Sequence, residues 1–258
     1  MKLIALYSVF DGEELLEGSV RQIRPHVDFV LCSVQTVSYA GEVYEGGADK
    51  AYELKRQGLV DEVVVYTPQP AERPQMDELR KRFGAMQKGY KSGFTHFFHM
   101  DCDEYYLSDQ FKAARDHLDA SDADGSVAYI QGYFKRPDWE LDDVDRAFVP
   151  FIHRYREGLH CCGSNYPYLC DPTRTVNAKN IIVLPREMVL MHHYSWVRND
   201  IGRKMRNCST AGALDDSQIL EDYERAEIGS NVRQLKRRLR QGKNLFNISV
   251  GAVPAVVQ

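Results

Sequence analysis

The chain has 258 residues, 43% of them hydrophobic and 27% charged, with a formal net charge of −4. This is ordinary globular composition, long enough to bury a substantial core, and the acidic balance excludes a protein that coats nucleic acid generally. The apolar start is broken by Asp11, Glu13 and Glu14 short of a signal peptide's pattern, no run approaches a membrane span, and six cysteines without paired spacing read as reduced thiols in a cytoplasmic protein.

Leu3 to Phe10 is an apolar run that predicts a first buried strand. Asp11 stands at an N-cap position with Glu13 and Glu14 in the first turn of a helix, which reaches about Arg24 and ends at Pro25. Val27 to Val34 predicts a second strand, Ala48 to Gln57 a second helix and Val60 to Tyr66 a third strand. A proline-rich loop, Thr67 to Pro74, precedes a helix over Gln75 to Ser92. Strands alternating with helices through the first hundred residues imply an α/β unit with a mostly parallel sheet, in which ligands bind beyond the strands' carboxyl ends.

The next strand is the most informative stretch. His96 to Met100 is apolar and aromatic, and it runs straight into Asp101, Asp103 and Glu104. Along an extended backbone, residues two apart point the same way, so Asp101 and Asp103 can face one point. Three carboxylates in four residues repel one another unless something cationic sits between them. A hard divalent ion such as Mg²⁺ or Mn²⁺, held by one or two carboxylates plus substrate phosphates, meets that need. The competing reading is an acidic loop that caps a helix starting near Ser108.

Beyond residue 107, Asp109 to Ala120 reads as a helix, Ser126 to Tyr133 and Phe148 to Tyr155 as strands, and Gly158 to Thr175 as loop. Ile181 to Leu184 and Met188 to His193 read as short strands, and Val197 to Cys208 and Asp216 to Ala226 as helices. The expected organisation is one α/β domain over 1–208 and a helical C-terminal extension over 209–258. Arg233 to Lys243 holds six basic residues in eleven: either a solvated terminal helix or a docking patch for a polyanionic acceptor.

In Met191–Arg198, adjacent His192 and His193 on a strand point to opposite faces, so at most one joins a given site. Taken together, these stretches resemble nucleotide-sugar glycosyltransferases of the GT-A fold, the family 2-like group. The opening Leu3–Leu16, the run Gly93-Phe-Thr-His-Phe-Phe-His-Met-Asp-Cys-Asp-Glu-Tyr105 and the segment His193-Tyr-Ser-Trp-Val-Arg198 carry the resemblance, over roughly residues 3 to 206. It implies a metal held by Asp101, Asp103 and His193, with Mn²⁺ or Mg²⁺ as cofactor and a nucleoside-diphosphate sugar, UDP-sugar first, as donor. It further implies Tyr7, Asp11, Arg82, Asp101 and Lys204 as donor-binding residues, with Arg198 acting on the diphosphate and Lys81 next in line. One departure stands out: the group's acidic turn after the second strand is here Ser33-Val-Gln-Thr-Val-Ser-Tyr39, with no acid until Glu42.

An inverting transfer needs a base for the acceptor hydroxyl. Candidates are Asp171 and the acidic run Asp138, Glu140, Asp142, Asp143 and Asp145. Retention of configuration stays open, and the acceptor is a glycan, a lipid-linked sugar or a modified nucleic-acid base. A nucleotidyltransferase is disfavoured because Phe10-Asp-Gly-Glu-Glu14 is acidic where such enzymes carry a basic phosphate loop. A sugar-nucleotide-binding relative without catalysis is the remaining alternative.

Overall fold

The computed structural model describes residues 1–69, 73–161, 166–209 and 215–250. The chain opens with β1 (Leu3–Val9), α1 (Glu13–Ile23), a 3-10 turn over Arg24–His26, β2 (Phe29–Val34), α2 (Gly46–Arg56), β3 (Glu62–Val65), α3 (Pro74–Lys91) and β4 (His96–Asp101). It continues through β5 (Glu104–Tyr105), α4 (Ser108–Asp119), β6 (Gly125–Phe134), β7 (Trp139–Leu141), β8 (Val149–Arg154), β9 (Ile181–Val183) and β10 (Leu190–Trp196). The last described elements are α5 (Ile201–Asn207), α6 (Asp216–Arg225), β11 (Asn231–Val232) and β12 (Arg237–Gln241).

The class is α/β, with helices on both faces of a central sheet. β3, β2, β1 and β4 form its wholly parallel half. Past β4 the sheet is mixed: β8 runs antiparallel to β4 and β6, whereas β9 and β10 pair parallel with β6. The period-2 alternation of β1 decides the layers. Leu3, Ala5, Tyr7 and Val9 face a core shared with Leu16, Val20 and Ile23 of α1, Ala48, Ala51 and Leu54 of α2, and Phe111 and Leu118 of α4. Ile4 and Leu6 face the opposite core, with Ala85 and Met86 of α3. In α1 the spacing 16, 20, 23 is the apolar stripe of a helix laid on a sheet.

Three expectations are corrected. Asp11 does not cap α1; Gly12 holds the N-cap position in a left-handed conformation (φ 79°) with no side-chain cap. The helix expected from Val197 begins only at Ile201, because β10 runs on to Trp196 and Asp200 caps α5 by accepting from the Arg203 N–H at 2.8 Å. Among its described residues, the extension past 208 is helical only in α6. Within its basic segment Arg237–Gln241 forms strand β12, which adds to β7 with Leu239 opposite Leu141 and Arg240 opposite Glu140. Ile219, Val232 and Leu239 share a core with Phe134, Leu141 and Met205, so the extension packs into the sheet's mixed half. Among the described residues, no helix is long and apolar enough to cross a membrane.

Gly47 brings α2 against the end of β1. A Cβ there would fall on the Phe10 carbonyl oxygen and 3.0 Å from Val9 Cγ1. Gly47→Ala should therefore cost about 1–3 kcal/mol and lower Tm by several degrees in thermal denaturation. An unchanged Tm would show that α2 moves away without penalty.

Candidate active site

β1, β2 and β4 end side by side, with Ser8 of β1 opposite Ser33 of β2 and Asp101 of β4. A cavity of about 390 Å³ opens beyond these carboxyl ends, lined by Asp11, Asp101, Asp103, Asp171, His193, Arg198 and Lys204, among others. The chain leaves β4 at Asp101, turns through Cys102 and Asp103, and re-enters extended structure at Glu104. The i, i+2 geometry of a strand therefore stops at Asp101, and the two aspartates take different partners.

Asp101 accepts from Arg82 Nη2 at 2.9 and 3.1 Å and from Arg174 Nη2. Arg174 also donates to Glu104 at 3.0 Å, and Arg82 to Glu78 at 2.7 Å. Asp103 pairs through Oδ2 with Arg198 and lies 3.6 Å from Lys204 Nζ. Three adjacent carboxylates are thus met by three arginines of the chain itself, all of them buried. The carboxylates are not helix caps; α4 starts without a side-chain cap.

Burial alone would raise both aspartate pKa values. Arg174 and Arg82 instead hold Asp101 below the carboxylate range, and Arg198 and Lys204 hold Asp103 well below it. Glu104 goes the other way, raised by burial despite Arg174. One oxygen is left over. Asp103 Oδ1 is buried without a hydrogen-bond partner, and His193 Nε2 lies 3.6 Å from it.

The neighbouring histidines divide as strand geometry requires. His193 lies opposite Glu104 in the β5–β10 pairing and lines the cavity. His192 is buried, its Nδ1 2.8 Å from the Tyr133 hydroxyl. Lys81 also lines the cavity, donating to Gln35 Oε1 at 2.7 Å, and burial brings its pKa down to about 8. Gln35 thus stands near the end of β2, where the group this sequence resembles carries an acid and this chain does not. Glu42 instead accepts from Asn207 Nδ2 at 2.8 Å, tying the loop after β2 to α5.

Several residues expected at the site lie off the cavity lining: Tyr7, Arg82, Asp138 and, of the same acidic run, Glu140, Asp142 and Asp143. Tyr7 faces the α1 core and its hydroxyl is 2.9 Å from Ser19 Oγ, because odd-numbered residues of β1 point away from α3. Asp138 lies off the cavity lining, accepting from Arg136 Nε and Gln241 Nε2 at 3.1 Å each. Arg82 sits behind Asp101 as a support and is 1% exposed. Asp171 lines the cavity, its Oδ1 held by the N–H and hydroxyl of Thr173 at 2.8 and 2.9 Å. Arg174 was not singled out by sequence reasoning. It follows an aperiodic loop, and the only signal for it was the demand of three carboxylates for countercharge.

No protein-family model matches the chain, and no curated protein does. Among solved structures it is similar to residues 1–349 of S. aureus TarS, at 13% identity and a TM-score of 0.46, over 76% of this chain and 61% of that one. It is also similar to TarS 1–349 in complex with UDP-GlcNAc, at 14% identity and a TM-score of 0.35, over 53% of this chain and 36% of the other. A third likeness is to a mannose-1-phosphate geranyltransferase from Thermus thermophilus, at 14% identity and a TM-score of 0.30, over 60% and 51%. The chain thus spans less than two thirds of the length of each.

Removing Arg174 leaves Glu104 buried without a countercharge. Arg174→Ala should cost about 3–5 kcal/mol in chemical denaturation, and Arg174→Lys should recover only part of it, lacking the fork that serves two carboxylates. The deficit should shrink from pH 8 to pH 5. A buried Glu with a raised pKa takes up a proton as pH falls, which removes its penalty. A deficit that is flat with pH would mean Glu104 is not the group left exposed to the loss.

Proposed function

We propose that the protein is a metal-dependent glycosyltransferase of GT-A type, moving a sugar from a nucleoside-diphosphate sugar to an acceptor hydroxyl. The observation that carries this reading is the unpartnered Asp103 Oδ1 facing His193 Nε2 at 3.6 Å on the wall of the strand-end cavity. Two such atoms can ligate one ion at roughly 2.0–2.2 Å each. Among the described residues no set of three or more His, Cys, Asp or Glu converges into a cage. The fit is therefore to an ion that completes its shell with phosphate oxygens and water, as Mg²⁺ and related hard ions do. Bound there, Mn²⁺ or Mg²⁺ would neutralise the charge that develops on the departing β-phosphate. Asp101, engaged by Arg82 and Arg174, is assigned to the ribose or to a metal-bound water.

The chain's own groups take the other roles. Arg198 and Lys204, already at Asp103 Oδ2, extend their donors to the diphosphate. Lys81, beside Gln35, and Asp11 contact the donor's nucleotide portion. Asp171 takes the acceptor's proton. The acceptor oxygen forms its bond to the sugar's anomeric carbon as that carbon's bond to the β-phosphate oxygen breaks, and the electron pair leaves with the phosphate.

The test is thermal-shift screening of nucleoside diphosphates and their sugars, UDP-sugars first, each with Mn²⁺, Mg²⁺ or EDTA. Because the Asp103 charge is already compensated by Arg198 and Lys204, metal alone should bind weakly. Metal with the right nucleotide should raise Tm by roughly 5–10 °C at hundredfold saturation. Asp103→Asn should abolish the metal-dependent part, and His193→Ala should reduce it more than His192→Ala does. No shift with any nucleotide sinks the donor assignment; a reversed histidine ranking sinks the choice of ligand.

Lys81 gives a pH signature. A lysine is cationic below its pKa, so with a pKa of about 8 it attracts the donor at pH 7 and loses that charge above pH 8. Donor affinity should fall several-fold between pH 7 and 9, and Lys81→Gln should flatten the profile at the low-affinity level. A wild-type profile flat over that range would remove Lys81 from the site.

A further inference from the structure

The cavity divides about β4. On the β1–β2 side its wall carries Ser8, Asp11, Gln35, Glu78 and Lys81, a mostly polar lining that also includes Phe10 and Tyr39. On the β6–β8–β10 side it carries Ile130, Phe148, Met191 and Trp196 together with Asp145 and Asp171. We infer that this second side is an acceptor subsite for an uncharged carbohydrate, with Trp196 as the stacking surface and Asp171 and Asp145 as hydroxyl-binding carboxylates. The inference rests on the glycosyltransferase reading and adds the acceptor's chemical class to it.

Trp196 reaches the wall because of an irregularity. In the β10–β6 pairing His193 lies opposite Gly132 and Trp196 opposite Phe134, so three steps on β10 match two on β6. This bulge breaks the alternation of faces, and Ser195 and Trp196, though consecutive, both line the cavity. Phe134 backs the indole, with ring centroids 6.2 Å apart, and the rest of the half-buried ring borders the open space. A flat apolar surface beside carboxylates suits a sugar ring. Its C–H face stacks on the indole while its hydroxyls donate to Asp145 and Asp171.

The charges disfavour an anion. Asp171, Asp145 and Asp216 on the wall would each repel a phosphate-rich acceptor. Arg174, the cation nearest Asp171 at 3.6 Å, is 4% exposed and committed to Asp101 and Glu104. The basic segment is also engaged: Arg237 with Asp145 at 3.4 Å, Arg240 with Glu140 at 2.9 Å and Arg233 with Glu221 at 2.8 Å. Three of the six cations expected to form a polyanion dock are thus held in ion pairs, Arg237 by an acid that itself lines the cavity.

The sequence has two tryptophans, so Trp139→Phe leaves Trp196 as the sole indole reporter. This variant, with UDP and Mn²⁺ present, is titrated with neutral malto-, cello- and chito-oligosaccharides and, separately, with inorganic polyphosphate and a single-stranded oligonucleotide. The expected result is a saturable emission change with at least one neutral series and none with the polyanions. Trp196→Leu should weaken the responding sugar at least tenfold by calorimetry, and Asp171→Asn should weaken it while the protein stays folded. A polyanion that perturbs Trp196 with steep salt dependence overturns the inference, as does silence from all the neutral series. The Tm shift of the same variant with UDP and Mn²⁺ separates the two readings. If it is present while the glycans are silent, the acceptor assignment alone falls; if it is absent, the donor site falls first.

Discussion

Three carboxylates at the end of one strand, met by three buried arginines from distant parts of the chain, are the constraint on which the site depends. Arg82 comes from α3, Arg174 from the segment before β9, and Arg198 from the link between β10 and α5. Each guanidinium therefore fastens a different wall of the cavity to the Asp101–Glu104 turn. A buried ion pair adds little net stability over a well-packed apolar pair, since both charges must be desolvated. Removing one member is costly, however, because a charge is left alone in a medium that solvates it poorly. The cluster thus sets the relative positions of the walls more than it adds to the overall free energy of folding.

That balance leaves one valence open. Asp103 has Arg198 and Lys204 on one oxygen and no hydrogen-bond partner on the other, which lies 3.6 Å from His193 Nε2. A site so nearly neutral has little affinity for a bare cation. It would take a cation together with a diphosphate, whose charges cancel one another as they enter.

The parallel half of the fold was legible because its signals are local. The runs Leu3 to Phe10 and Val27 to Val34, with the helical stripe Leu16, Val20 and Ile23 between them, need only periodicity to be placed. What sequence reasoning lost was set by partners far along the chain. A strand's alternation required that only one of His192 and His193 face the cavity, but not which. The segment Arg237-Arg-Leu-Arg-Gln241 has one apolar residue and composition that suits a helix. It is a strand because the acidic edge offered by Asp138, Glu140 and Asp142 complements it: Arg240 meets Glu140 across the strands, the Arg238 N–H reaches Asp142, and Gln241 reaches Asp138. Acids and bases that separately looked like solvated surface are two halves of one ladder. Arg174 was hidden for the same reason, since nothing near it in sequence announces the charges it meets.

The change of sheet character at β4 also explains why one cavity has two kinds of wall. In the parallel half, strands end together and helices begin beyond them, which leaves polar strand ends and an α3 cation facing the crevice. Beyond β4 the antiparallel strand β8 interrupts the parallel order, and the same crevice is closed by Ile130 of β6, the bulged strand β10 and the loop before β8. Such elements bring apolar and acidic side chains forward. A donor that carries negative charge and an acceptor that carries none would then be sorted to opposite sides by the topology itself. The Asp101–Glu104 turn, at the seam between the two halves, is where their reacting atoms would meet.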